Sequence, residues 1–248
     1  MESKEASSFA NRFYNKLTAH RTIRICGYGS LILYIGLVGI GVLVAAIFKP
    51  PYTIWDNWIS DLGANEHTPV PILYDLACIF AGILTIPFHF YLEKYIAPIP
   101  RTADELPAPH RWSYRLMSMG FFFSMLGSFF YIGVGIFSAD RDYPLTAEFG
   151  THGLCSYGAF GGFAFSAIFV GCAVLFVRQP LIPKPFNYPI GIWGVCGPIT
   201  VAILNFTGLE GVSGPLLEWS LLFAILGWIV PVLAFTLKYT EKQLHKKE

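Results

Sequence analysis

Six apolar runs alternate with polar segments along the chain, and each has roughly the 20 residues that a helix needs to cross a bilayer. Lipid offers a peptide backbone no hydrogen-bond partners, so each run is expected to be helical. The fifth run is the shortest, and its Pro198 is where the pattern suggests a broken helix. The sequence predicts one all-α membrane domain over residues 1–248, a six-helix bundle with spans at 25–48, 70–95, 115–137, 150–177, 189–206 and 215–237.

Composition and basic residues place these spans in a membrane and orient them. The chain is 54% hydrophobic and 13% charged, whereas soluble domains are about 25% charged. Fifteen of the 17 Lys and Arg residues fall in the termini and in the linkers after the second and fourth spans, against only Lys49 and Arg141 on the other side. The positive-inside rule therefore predicts cytoplasmic termini. Residues 1–24 do not resemble a cleavable signal peptide, so we expect the first span to be retained.

Acidic residues show the opposite distribution. Nine acidic residues against two basic ones on the outer side predict an acidic outer surface that attracts cations or amines rather than phosphate. The residues on or near the outer face are Asp56, Asp61, Glu66, Asp75, Asp140, Asp142, Glu148, Glu210 and Glu218.

The expected partners follow from this membrane character. They are membrane lipids, with other membrane proteins as the alternative, and no nucleic acid. The multi-pass pattern does not distinguish the plasma membrane from an endomembrane. All five cysteines lie in apolar runs without a Cys-x-x-Cys pair, so neither a disulfide framework nor a zinc site is indicated.

Between the first two spans lies a polar segment, residues 52–63, that carries two tryptophans. Indole rings favour headgroup depth, so Trp55 and Trp58 are predicted to anchor this segment at the membrane–water interface. Ser60 and Asp61 precede Leu62-Gly63, a pattern typical of a cap or tight turn. The segment is thus either a structural loop or one wall of a polar site.

Ionisable residues inside apolar spans are costly unless they are paired or face a cavity, and the informative ones here are Asp75, His89, His152 and Glu218. His89 is isolated in the inner half of its span, which favours a structural role. Glu148 and His152 are four residues apart, so a helix would place them on one face. The ionisable residues near the outer face are consistent with two interpretations. They form either a structural cluster or a site that binds a ligand, binds a metal or performs acid–base chemistry. The topology places six candidates in the outer third: Ser60, Asp61, Asp75, Glu148, His152 and Glu218.

Three short motifs resemble those of one membrane-protein family. They are Ile-Ser-Asp-Leu-Gly at 59–63, Gly-Thr-His-Gly at 150–153, and Glu218-Trp219. The chain, over residues 20–240, resembles the six-helix family of the damage-regulated autophagy modulators and the GPI-anchor lipid-remodelling proteins, with their uncharacterised archaeal and bacterial relatives. Residues 64–69 lack the paired prolines frequent in the autophagy members. The resemblance implies membrane residence and involvement with lipids.

Three functions remain open from the sequence. The first is binding or organising lipid headgroups or membrane partners through Asp61, Asp75, Glu148, His152 and Glu218. The second is lipid hydrolysis, with His152 or Ser60 as catalytic candidates and carboxylates that bind a metal or orient water. The third, a proton or cation carrier, is weaker because the polar residues lie near the surface rather than the midplane.

No phosphate loop, Gly-x-Ser-x-Gly or His-Glu-x-x-His motif is present in the sequence. The pattern favours no cofactor over a divalent metal. If a metal is bound, its candidate ligands are Asp61, Asp75, His152 and Glu218.

Overall fold

A computed structural model describes residues 9–48, 51–97, 110–141, 143–145, 150–177 and 179–246. This part of the chain is helical and contains no strand. Six of its helices, α2 to α7, are long and apolar enough to cross a membrane, which confirms the predicted fold class. The α-helices are α1 (Phe9–Leu17), α2 (His20–Ile47), α3 (Ile72–Ile96), α4 (His110–Ile136), α5 (Thr151–Phe176), α6 (Asn187–Thr207) and α7 (Gly214–His245).

The six long helices form a closed ring. Each packs against the next in chain order, α7 packs back against α2, and α5 also contacts α7 across the interior. Arg24 and Glu241 form an ion pair of 3.5 Å between α2 and α7, so both terminal regions lie at one end of the bundle. We call the opposite end, which carries residues 51–71, the outer end, after the predicted orientation. Which side of the membrane it faces remains a prediction.

The buried core has two layers, one in each half of the bundle. The inner layer packs around Phe88 and Trp228, and the outer layer around Tyr74 and Trp219. Many large apolar side chains on the outside of the ring are exposed, and Phe206 of α6 is among the most exposed. In a membrane these side chains face lipid, which is as apolar as they are.

A short helix, α1, precedes the ring and was not predicted, because nine residues are too few to register as a span. Its Phe9 and Phe13 side chains are exposed, as in a helix lying at a membrane surface. The ammonium of Lys94 on α3 donates to Thr18 Oγ1 over 2.9 Å and lies 5.6 Å from the centre of the Tyr14 ring. These contacts tie the N-terminal region to the inner end of α3.

Prolines lie inside three of the long helices. Pro198 is within α6, but Pro87 in α3 and Pro231 in α7 are also internal, so Pro198 is not the only candidate break. All three helices continue through their prolines. Neighbouring helices in a bundle can compensate for the backbone hydrogen bond that a proline removes.

Glycines allow α4 and α5 to approach closely. A Cβ atom on Gly162 of α5 would lie 2.5 Å from the backbone nitrogen of Gly127 on α4, closer than real Cβ atoms come. A Cβ on the adjacent Gly161 would meet nothing within 4 Å. These neighbouring glycines therefore provide a matched pair, one at a helix contact and one facing open space.

We predict that Gly162→Ala destabilises the protein by about 1–3 kcal/mol, the usual effect of overpacking a close contact. Gly161→Ala should be neutral or slightly stabilising, because alanine favours helix and nothing opposes its methyl group. Thermal unfolding in detergent measures both. Equal effects of the two substitutions would contradict the close contact between α4 and α5.

Candidate functional site

Two carboxylates hold the start of a 3₁₀ helix at the outer end, residues Ile59–Gly63. Asp61 Oδ2 accepts a hydrogen bond from the Trp58 backbone N–H over 2.9 Å and one from Asn57 Nδ2 over 3.3 Å. Glu218 Oε2, from α7, accepts from the Ile59 N–H over 2.7 Å. Helix starts leave backbone donors without partners, and these two side chains satisfy consecutive donors. The predicted cap at Asp61 is present, and Glu218 adds a second from a distant part of the chain.

The rest of the segment before this 3₁₀ helix is also attached to the region where α7 begins. Trp219 Nε1 donates to the Asn57 carbonyl over 3.2 Å, and the Ser213 hydroxyl donates to the Trp55 carbonyl over 2.7 Å. The Tyr52 hydroxyl donates to the Trp58 carbonyl over 2.9 Å. A tyrosine hydroxyl is protonated at physiological pH, and burial raises the pKa of Tyr52 further, so this hydroxyl remains a donor. The segment is therefore fixed by side chains rather than being a free loop.

Asp75, near the start of α3, forms an ion pair with Arg141 just after α4. The Arg141 side chain is 52% exposed and the Asp75 side chain only 6%. Arg141 Nε also donates to Ser138 Oγ over 3.0 Å. A Cβ on Gly63 would lie 3.2 Å from Asp75 Oδ1, so the end of the 3₁₀ helix packs directly against this carboxylate.

A second contact joins the same two parts of the outer end. Asp140 Oδ2 accepts from the Asn65 backbone N–H over 2.7 Å and from Asn65 Nδ2 over 2.5 Å. Together with the Asp75–Arg141 pair, it attaches the α2–α3 connection to the residues that follow α4.

His152 links the end of α4 to the start of α5. Its Nδ1 lies 2.6 Å from the carbonyl oxygen of Phe137, which can only accept, so Nδ1 carries the proton. Its Nε2 lies 3.3 Å from Ser156 Oγ, one turn further along α5. Ser156 was not a predicted candidate, although its spacing of four residues from His152 could have identified it.

The structure places the predicted residues in three neighbouring groups rather than one. Asp61 and Glu218 meet at the 3₁₀ helix, Asp75 pairs with Arg141, and His152 contacts Phe137 and Ser156. Ser60 is half-buried within the 3₁₀ helix. Glu148 lies outside the described residues.

The remaining candidates are the tryptophans and the metal ligands. Trp55 is 60% exposed and Trp58 46%. Among the described residues, no three His, Cys, Asp or Glu side chains are grouped so that they could hold a metal ion.

Comparisons with protein families, with curated proteins and with solved structures gave no match to this chain. The family resemblance suggested by the three motifs therefore remains a prediction.

We predict that Glu218→Ala loosens the outer segment, because the Ile59 N–H loses its acceptor in a buried position. An unsatisfied buried donor costs about 1–3 kcal/mol, and amide hydrogen exchange across residues 51–69 should rise accordingly. Glu218→Gln is the matched control, since its amide oxygen can still accept. Exchange that is unchanged in Glu218→Ala would show that this hydrogen bond does not hold the segment.

Proposed function

We propose that this integral membrane protein binds membrane lipids at its outer end and prefers headgroups that carry an amine. Trp55 and Asp56, adjacent in one turn and both exposed, provide the main support. Thr53 Oγ1 donates to Asp56 Oδ2 over 2.7 Å and so orients the carboxylate beside the exposed indole. An indole favours headgroup depth, and a carboxylate beside it attracts an ammonium group.

Charge around this turn supports the same preference. Glu66, Asp140 and Glu210 are also exposed at the outer end, and Asp140 keeps its exposure while accepting from Asn65. Arg141, a basic residue of this end, has its guanidinium bound to Asp75. The local field is therefore negative, which favours the zwitterionic ethanolamine headgroup over phosphatidylglycerol, whose headgroup is anionic and carries no amine.

Asp61, Asp75, His152 and Glu218 have supporting roles in this proposal. Asp61 and Glu218 bond backbone donors of the outer segment, and Asp75 is buried against Arg141. Asp61 and Glu218 thus hold the segment that displays Trp55 and Asp56, whereas Asp75 and His152 join helices at the same end. The headgroup itself is bound by the exposed residues.

The test is retention of defined lipids by the protein in nanodiscs, followed by native mass spectrometry. Phosphatidylethanolamine should be retained over phosphatidylglycerol of the same chains. Asp56→Asn should reduce that preference severalfold, and added salt should weaken it because the carboxylate is exposed. Glu241→Gln, an exposed acid at the inner end, is the matched control. Equal retention of both lipids by the wild type would overturn the proposal.

A second candidate function, lipid-ester hydrolysis, is favoured by the contact between His152 and Ser156. Phe137 fixes the imidazole with Nε2 toward the hydroxyl, an arrangement that suits a general base and a nucleophile. His152 would take the hydroxyl proton as Oγ attacks the ester carbonyl, and would return it to the leaving alcohol. Water would then release the acyl group and restore Ser156.

Turnover of a phospholipid with a labelled acyl chain tests this candidate. Ser156→Ala and His152→Ala should each abolish turnover, whereas Ser166→Ala, a buried serine of the same helix, should retain it. Absence of turnover in the wild type, or persistence of turnover in Ser156→Ala, would contradict hydrolysis by this pair.

A further inference from the structure

The ring of helices contains a partly open cavity of about 80 Å³, below the outer polar groups. Five of the six long helices line it, all except α6. On α7 the lining extends from Leu222 to Leu233, which at helical rise spans about 16 Å along the helix axis. The cavity is therefore long in the direction of the helices and narrow across them.

The cavity volume is sufficient for a small number of atoms arranged one after another. One water needs about 10–15 Å³ measured in this way, so the cavity has room for about six groups of water or methylene size. That room suits a segment of about six carbons from one unbranched chain. A fused ring system would require a wider space.

The polar side chains in the wall do not favour water. The hydroxyls of Tyr34 and Tyr131 are 2.6 Å apart and bond each other at the outer part of the cavity. The hydroxyls of Thr85 and Ser30 donate to backbone carbonyls of their own helices, over 2.7 Å and 2.9 Å. The rest of the wall is apolar, and apolar cavities of this kind stay dry. The occupant that fits is a hydrocarbon.

The least extensive packing between neighbouring helices of the ring is between α2 and α7. Both of these helices line the cavity. At the inner end they are close, since a Cβ on Gly27 would lie 2.9 Å from Leu233 Cδ1. Trp55 lies at the outer end of this seam, because it follows α2 closely and its carbonyl is bonded by Ser213 just before α7.

We propose that the cavity holds a segment of one unbranched acyl chain of a membrane lipid, which enters between α2 and α7. This inference deepens the proposed function and rests on lipid binding, but it does not depend on which headgroup is preferred. The chain replaces empty space with apolar contacts inside the ring. The headgroup of the same lipid stays at the outer end of the seam.

The experiment uses two phospholipids, phosphatidylethanolamine and phosphatidylglycerol, each with a photoreactive diazirine at the middle of one acyl chain. After irradiation in nanodiscs, cross-linked peptides are mapped by mass spectrometry. We expect labelling of cavity residues such as Leu226 and Phe163. Labelling confined to outward-facing residues such as Ile203 and Phe206 would overturn the proposal.

Two substitutions narrow the cavity, and a third is their control. Ala159→Leu and Ala81→Leu should each reduce cavity labelling about tenfold, the factor that about 1.4 kcal/mol of lost binding produces. Ala202→Leu makes the same change on an exposed position of α6 and should leave labelling unchanged. If both narrowing variants unfold at higher temperature and the wild-type cavity is unlabelled, the cavity is empty and the proposal fails.

The two lipid proposals fail in different ways. Cavity labelling by both phospholipids, unaffected by Asp56→Asn, would support the chain site while removing the headgroup preference. Selective retention of phosphatidylethanolamine without cavity labelling would support the headgroup site alone and overturn the chain site.

Discussion

The hydrogen bond from the Ile59 N–H to Glu218 determines how the outer end of this protein is built. A connection that lies against a bilayer has little water to satisfy its backbone donors, so protein groups must do so. Here the acceptor comes from the first turns of α7, 159 residues further along the chain. The same bond that satisfies the 3₁₀ helix therefore connects the α2–α3 segment with the last helix of the ring.

The other outer polar groups act in the same way at successive positions around the ring. Asp75 and Arg141 connect the start of α3 with the residues after α4, and His152 connects α4 with α5. Below them the helices pack through apolar side chains and close glycine contacts, as at Gly162. Polar groups that would be costly in lipid thus join helices at the edge of the membrane.

Hydropathy alone predicted the six helices, because span length and backbone satisfaction leave few alternatives in a membrane. The cap at Asp61 could also be predicted from the sequence, since its donor lies only three residues away. Partners distant in sequence could not be predicted. The hydrogen bond between Glu218 and Ile59, for example, depends on α7 being adjacent to α2 in the ring. Arg141 was counted only as an outer charge, and its pairing with Asp75 required the packing of α3 on α4. Helix α1 was too short for a pattern based on spans.

A lipid that occupies both proposed sites must satisfy one geometric condition. The outer segment is fixed over the end of the bundle, and the Tyr34–Tyr131 pair lies between the apolar cavity and the outer polar groups. A chain that came through that layer would have to break satisfied hydrogen bonds, whereas one that comes sideways from the bilayer breaks none. Trp55 and Asp56 lie at the outer end of the α2–α7 seam, so a laterally inserted chain leaves its headgroup beside them. The hydrogen bonds that fix the outer segment thus favour lateral access for the proposed lipid, and the proposed headgroup site would then lie at the point of entry.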